Sequence, residues 1–380
     1  MSKRVNGEGL VRKHPTRDLY EARYSHVDLE TGKKKVSSIY GKTAQEALEK
    51  LRVAQARIAV DKPDRDSKRT VAGWINEWVG ASLVTSNRKP TTKELYRSLA
   101  KSHLASGDFG KRELGKLRPS NIQALLHSFQ QNGLAPSTVR NIYAVLNAVL
   151  EDARIDKLIA ANPMAEVRRP ASAPVEAKHL TPAEVRVLLK AAEGTRYKIA
   201  LDLMASTGLR RGEALALEWA DIDLDNGMLK VTKTLARVDR ELVTSTPKTP
   251  KSRREVPLSA GVIAMLRGHR KTQVAERLQA GNVWQDRGLV FATESGGYVD
   301  PRNLLRAIQT VAARAGIEGI GLHTLRHSAA TAMLEANVPI HVVSRILGHS
   351  SIAVTIDLYG HVNDDIKRDA IDGLSEAMGL

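Results

Sequence analysis

The sequence predicts a multidomain protein, mainly α-helical with small β elements. It should comprise an N-terminal three-stranded sheet plus one helix, a central all-helical domain, and a mixed, mostly helical C-terminal domain. Three observations carry this expectation. The chain has 380 residues, two to three times a typical domain of roughly 150. Two stretches poor in apolar residues cut it, Asp61–Arg69 (DKPDRDSKR) and Arg168–His179 (RRPASAPVEAKH). The apolar periodicity also changes at each cut, from short strand-like runs to helical spacing and then to a mixture. The expected division is 1–62, a linker 63–69, 70–168, a linker 169–179, and 180–380.

Each element has a local reason. Gly9–Lys13, Leu19–Val27 and Lys35–Tyr40 read as strands separated by the turn signals Pro15-Thr16 and Thr31-Gly32. Thr43-Ala44-Gln45-Glu46 is a capping box that opens a helix with Ala47, Leu48, Leu51 and Ala54 on one face. In the middle third, Val71, Trp74, Ile75 and Trp78 mark a first helix, and Thr91–His103 a second. Pro119-Ser120 opens a third, and Pro136-Ser137-Thr138 a fourth with Val139, Ile142, Val145, Leu146 and Leu150 at core spacing. Asn162-Pro163 ends the last of these.

After the second cut, Thr181-Pro182-Ala183-Glu184 combines an N-cap, a proline at the first helical position and a capping box. Helices are expected over Ile199–Ser206 and Glu213–Trp219, and one long strand over Met228–Val238 paired with Arg254–Leu258. Further helices are expected over Ala260–Leu278, Pro301–Ala315, Thr324–Glu335 and Ile340–Leu347. The tail Asp364–Met378 is amphipathic.

Composition narrows the function. Hydrophobic residues are 42% and charged residues 26% of the chain, ordinary for a globular protein. No run approaches the ~18 apolar residues of a membrane span. The basic start MSKRVNGEGLVRK has no apolar signal-peptide segment, so a cytoplasmic protein is expected. With no cysteine, disulfides and thiolate zinc sites are excluded.

The charge is informative: 58 Lys+Arg against 42 Asp+Glu, a net of +16. The excess is concentrated early, at 14 basic against 8 acidic residues in 1–62 and 16 against 8 in 68–170. Such a surface suits a polyanion, nucleic acid before an anionic membrane. Aromatics at 4% disfavour single-strand binding by base stacking, which leaves duplex DNA. Lys33, Lys34 and Lys35, expected in a hairpin, and Arg140, on the fourth central helix, are candidate phosphate contacts; a solvated turn is the alternative for the lysines.

Four short segments and a tyrosine stand out in the C-terminal half. They are Thr207-Gly208-Leu209-Arg210-Arg211-Gly212-Glu213, Pro247-Lys248-Thr249, His323-Thr324-Leu325-Arg326-His327 and Leu347-Gly348-His349, followed by Tyr359. Singly each is weak. In this order they resemble the signature of the tyrosine recombinases, in the phage-integrase branch.

The resemblance spans the whole chain. It implies an arm-type DNA-binding domain in 1–62, a core-binding domain in 70–168 and a catalytic domain with a C-terminal tail in 180–380. It makes Arg210 and Arg326 the two catalytic arginines and His323 the histidine three residues before the second. Lys248 becomes the hairpin lysine, with Lys251 the alternative, His349 the later histidine and Tyr359 the nucleophile. It also implies a homotetramer on synapsed DNA, core and arm attachment sites, and a Holliday-junction intermediate. A host DNA-bending protein and a directionality factor are implied as helpers. The tail is expected to dock on a neighbouring protomer or on its own domain.

The chemistry stands without the family name. Attack on a phosphodiester concentrates negative charge on its oxygens, which positioned cations must meet. Arginine offers a planar fork of donors to phosphate oxygens. A tyrosine hydroxyl with an ordinary pKa of about 10 attacks well only as phenolate, which a cationic pocket favours. His323 is placed to take its proton, and a lysine such as Lys248 to protonate the departing sugar oxygen. No cofactor and no metal are expected.

Each residue also has a plainer reading. Arg210 and Glu213 could be an ordinary helix ion pair, Lys248 a surface turn, His323 and His349 structural, and Tyr359 a core tyrosine. His323 and His327 have zinc-helix spacing, but Thr324 stands where a metalloprotease needs Glu. Asp221 and Asp223 suit a turn better than magnesium. Two other functions share these features, a type IB topoisomerase and a non-catalytic DNA-binding regulator.

Overall fold

A computed structural model describes residues 10–27, 34–59, 69–171, 178–246, 252–349, 351–359 and 378. The chain divides into two units, Met1–Ala173 and Pro174–Leu380. Among the described residues no helix is long and apolar enough to cross a membrane.

The first unit contains two separate hydrophobic clusters. In the smaller, β1 (Leu10–Lys13), β2 (Tyr20–Val27) and β3 (Lys34–Gly41) form an antiparallel sheet in the order β1-β2-β3. Helix α1 (Ala44–Ala59) is capped by Thr43, whose Oγ1 accepts the Glu46 N–H at 3.1 Å, while the Glu46 carboxylate accepts the Lys42 N–H at 2.7 Å in place of the Thr43 N–H that a full capping box would use. Ala47 and Leu51 of α1 pack with Ala22 and Tyr24 of β2. Strand alternation turns Arg12, Glu21 and Arg23 to the other face, where both arginines pair with the buried Glu21 at 2.9 and 3.0 Å.

The larger cluster belongs to helices α2 (Val71–Gly80), α3 (Ser82–Thr85), α4 (Pro90–Leu99), α5 (Gly107–Gly110), α6 (Pro119–Gln131) and α7 (Pro136–Ile155). The two tryptophans of α2 satisfy their indole N–H groups across the core, Trp74 on the Val149 carbonyl at 2.8 Å and Trp78 on Asp152 at 2.6 Å. The helix expected over Thr91–His103 is α4 followed by a π-helical turn, Ala100–Leu104. Leu99, Ala100 and Leu104 are all buried there, and the wider turn brings this five-residue spacing to one side.

The second unit begins with α8 (Pro182–Ala191) and α9 (Lys198–Thr207). The next helix, α10 (Arg211–Leu215), is shorter than the expected Glu213–Trp219. Lateral hydrogen bonding stops it: Leu217 O accepts from Val290 N–H, and Trp219 N–H donates to Gly288 O, both at 2.8 Å. A 3₁₀ turn follows at Trp219–Asp221.

The single strand expected over Met228–Val238 is two strands in different sheets. β4 (Ile222–Asp223), β5 (Met228–Val231) and β8 (Arg254–Pro257) form one antiparallel sheet in the order β4-β5-β8. β6 (Thr234–Val238) instead folds back on β7 (Glu241–Ser245) through a turn at Asp239-Arg240, with φ of 48° and 71°. Asp221 and Asp223 are turn acceptors. Asp221 takes the Glu218 N–H and the Thr232 hydroxyl, and Asp223 takes the N–H groups of Asp225 and Asn226.

The remaining helices are α11 (Ala260–Ala280), α12 (Pro301–Arg314), α13 (Leu322–Glu335), α14 (Ile340–Leu347) and α15 (Ile352–Tyr359). One cluster, from Leu180 to Leu325, gathers α8 to α13 and the sheets around it. A small satellite of Ala330, Leu334, Val343 and Leu347 packs α13 against α14.

Candidate active site

Two helix ends build the site. Gly208 ends α9 in a left-handed conformation, φ 65°, and Gly348 ends α14 the same way, φ 66°. A Cβ at Gly208 would meet the Leu347 side chain at 2.5 Å, so glycine serves both the turn and the close approach of α14.

Three cationic or titratable side chains converge there. Arg326, on α13 and only 4% exposed, donates to Gly208 O and Leu347 O, each at 2.7 Å. Arg210, the residue before α10, donates to Gly348 O at 3.2 Å and is about one-third exposed, 34% for its side chain. His349 follows Gly348 directly and is 8% exposed. Two guanidinium groups so placed repel each other. The carbonyls at the ends of α9 and α14 carry partial negative charge and offset this.

Glu213 and Arg254 complete the frame. Glu213 accepts from Arg210 Nη1 at 2.9 Å and from the Arg210 N–H at 3.0 Å. It also accepts from Arg254 at 2.9 and 3.2 Å, a pair whose side chains are 3% and 4% exposed. Arg254 Nε further donates to Ile346 O, so strand β8 is tied to both the Arg210 turn and the end of α14. The ion pair Arg210–Glu213 is therefore present, and it orients an arginine whose fork also meets Gly348.

The electrostatics follow from this density of cations. Burial favours neutral Glu213, but the Arg254 hydrogen bonds and the charges of Arg254 and Arg210 outweigh it and hold the carboxyl below its usual range. His349 is lowered to about 4, first by burial and then by Arg326, Arg210 and Arg254. His323, exposed at the start of α13, is lowered by loss of part of its hydration and then by Arg326, Arg211 and Arg210. Both imidazoles are thus neutral at neutral pH, able to accept one proton or donate one.

Six other expected residues remain. Lys248 and its alternative Lys251 lie outside the described residues, in the segment joining β7 to β8. Tyr359 is the last residue of α15, ten residues after His349. Lys33 is outside the described residues; Lys34 and Lys35 open β3 rather than sitting in the turn. Arg140 lies in the first unit, half-buried on α7.

Two residues that sequence reasoning passed over belong to the site. Arg254 had a signal: with Val256 it takes alternate positions of a strand, facing inward together. Thr355 lies one helical turn before position 359, and its oxygen is 2.8 Å from His349 Nδ1.

Comparison with known proteins shows what the whole chain is similar to. The phage integrase family profile matches residues 178–365. A tyrosine recombinase XerC-like protein of Caldanaerobacter subterraneus subsp. tengcongensis is 29% identical over 91% of this chain and 93% of its own length. Tyrosine recombinase XerC of Xanthomonas campestris pv. campestris is 30% identical over 67% of this chain and 73% of its own length. Among solved structures, the Tn1549 transposon integrase in complex with a circular-intermediate DNA superposes with a TM-score of 0.66 at 21% identity, covering 80% of this chain and 99% of that one. A lambda integrase tetramer bound to a Holliday junction gives 0.56 at 18% identity, covering 93% and 96%. At these identities the structures show a shared fold.

Proposed function

The chain belongs to the phage integrase family of tyrosine recombinases, and from that premise we propose how its own residues break and rejoin DNA. It is a site-specific recombinase by family. The comparisons lend nothing to the topoisomerase or regulator readings.

In the proposed cleavage, Arg210 and Arg326 hold the non-bridging oxygens of the scissile phosphate, and His349 donates to one of them. The Tyr359 oxygen attacks phosphorus after giving its proton to His323. The new bond is tyrosine oxygen to phosphorus, leaving a 3′-phosphotyrosine; the broken bond is phosphorus to the 5′ oxygen, which leaves with a proton from Lys248. A 5′ hydroxyl of another strand then reverses the step, so the phosphoester is conserved without ATP. The observation that carries this reading is the convergence of Arg210, Arg326 and His349 on the Gly208 and Leu347–Gly348 ends, immediately before the helix that terminates in Tyr359.

The wider assignment rests on the family and on charge. Residues 1–62 are proposed to bind arm-type DNA, 70–168 to hold the core site and 180–380 to cut it, with 63–69 and 169–179 as linkers. Lys33, Lys34, Lys35 and Arg140 are proposed phosphate contacts. The active assembly is proposed to be a homotetramer working through a Holliday junction, as in the lambda integrase complex, to integrate or excise a mobile element on cytoplasmic, nucleoid DNA. A bending protein and a directionality factor are proposed helpers.

A supercoiled plasmid carrying two copies of the direct repeat at the element's boundary tests the function. Recombinant circles are expected. Relaxation without recombinants, or a band shift with no strand exchange, overturns the reading.

A further inference from the structure

Resting on the assignment of Tyr359 as nucleophile and His349 as phosphate ligand, we propose that Thr355 is a positioning residue for cleavage: its hydroxyl donates to His349 Nδ1, keeping the imidazole proton on Nε2 and clasping the tyrosine-bearing helix to the site.

The geometry is specific. Thr355 is fully buried, His349 is 8% exposed, and the two polar atoms are 2.8 Å apart. Elsewhere on the segment from Ser351 to Ile356 the described side chains are exposed, with Ile352 at 42% and Ile356 at 48%. Among the described side chains of α15, Thr355 is therefore the buried contact, and it is polar. One turn of helix separates it from position 359. Among the described side chains, the contact that seats this helix is a directed bond.

The chemistry gives the bond a second consequence. Surrounded by Arg326, Arg210 and Arg254, His349 is neutral at neutral pH. A neutral imidazole carries one N–H, and the partner of one nitrogen decides what the other can do. Phosphate oxygens bear only lone pairs, so a histidine that is to stabilise them must keep its hydrogen on the nitrogen that meets them. A threonine hydroxyl donating to Nδ1 enforces that form. A carbonyl or carboxylate in the same place would enforce the opposite one. Seating of α15 and readiness of His349 are then one event, because the same hydrogen bond makes both.

The test uses the full chain with Thr355→Val, which keeps shape and removes the hydroxyl, and Thr355→Ser, which restores it. Cleavage is followed as covalent adduct on a nicked suicide duplex bearing the core repeat. Selective ¹⁵N-histidine NMR, assigned with His349→Asn, reports the tautomer. Wild type should carry the His349 proton on Nε2. Thr355→Val should cleave about tenfold more slowly, with unchanged DNA affinity and a mixed tautomer; Thr355→Ser should fall within about twofold of wild type. The inference is overturned by a wild-type proton on Nδ1, by undiminished cleavage in Thr355→Val, or by equal losses in both variants. The wild-type tautomer does not depend on either Thr355 variant folding. Absence of any adduct in wild type would instead sink the nucleophile assignment, and the tautomer would still decide the clasp.

Discussion

Replacing Glu213 with Gln tests the frame on which the arginines rest. The carboxylate is 3% exposed on its side chain and accepts four hydrogen bonds, two from Arg254 and two from Arg210. Gln keeps one acceptor but turns an NH₂ toward a guanidinium, and it leaves the buried Arg254 charge uncompensated. Breaking a buried pair on one side costs about 3–5 kcal/mol. For a unit of this size, each kcal/mol lowers Tm by about 2–4 °C, so a drop of roughly 6–12 °C at pH 7 follows from about 3 kcal/mol. The difference should also depend on pH. The folded carboxyl titrates below its ordinary value of 4.5, so its contribution is complete above that pH and is lost as pH falls through the lower, folded value. Protonation of His349, whose pKa is lowered to about 4 in the fold, weakens both proteins in acid, so the gap between them is read rather than either Tm alone. Thermal unfolding of wild type and variant from pH 7 to pH 3 reads both effects. A Tm change under about 2 °C at pH 7, or a gap that does not shrink in acid, would refute the reasoning.

Further outcomes are expected at the other proposed groups. Lys248→Ala should cleave ordinary DNA poorly and be rescued largely by a 5′-bridging phosphorothiolate, whose thiolate leaves without a proton; equal defects on both substrates would move the acid to Lys251. EDTA should leave cleavage intact, and restoration of a lost activity by Mg²⁺ or Zn²⁺ would point to metal-dependent chemistry instead. Deleting residues 1–62 should preserve core-site cleavage and impair integration between two full sites. It should also flatten the log–log salt dependence of full-site binding by about 0.9 for every phosphate the missing residues would have neutralised. A deletion that abolishes core cleavage, or leaves full-site integration untouched, would contradict the arm-binding assignment.

Much of the fold was legible because its helix starts are chemically explicit. Thr43 and Thr181 both cap as short-range rules require. The failures share a cause. Met228–Val238 alternates throughout, but alternation cannot report that the partner strand changes at Thr232-Lys233. The turn that makes the second hairpin, Asp239-Arg240, lacks the glycine that usually marks one. Glu213–Trp219 has helical composition, yet hydrogen bonds to Gly288 and Val290, about 70 residues away, end the helix early. At the site, Arg210, Arg326 and His349 were legible from motifs because each sits beside a glycine turn or on a helix of fixed phase. Arg254 hid within a basic run, Lys251 to Arg254, where charge reads as surface and only strand phase reveals burial. Thr355 hid between apolar neighbours, because its role depends on a residue six positions away.

The covalent bond assigned to Tyr359 is open to direct measurement. Wild-type protein trapped on a nicked suicide duplex, digested with trypsin and nuclease, should yield one nucleotide-linked peptide. That peptide should span 346–367, with the phosphate on Tyr359. A nucleotide on any other residue, or a 5′-linked phosphate in place of a 3′-linked one, would contradict the proposed mechanism.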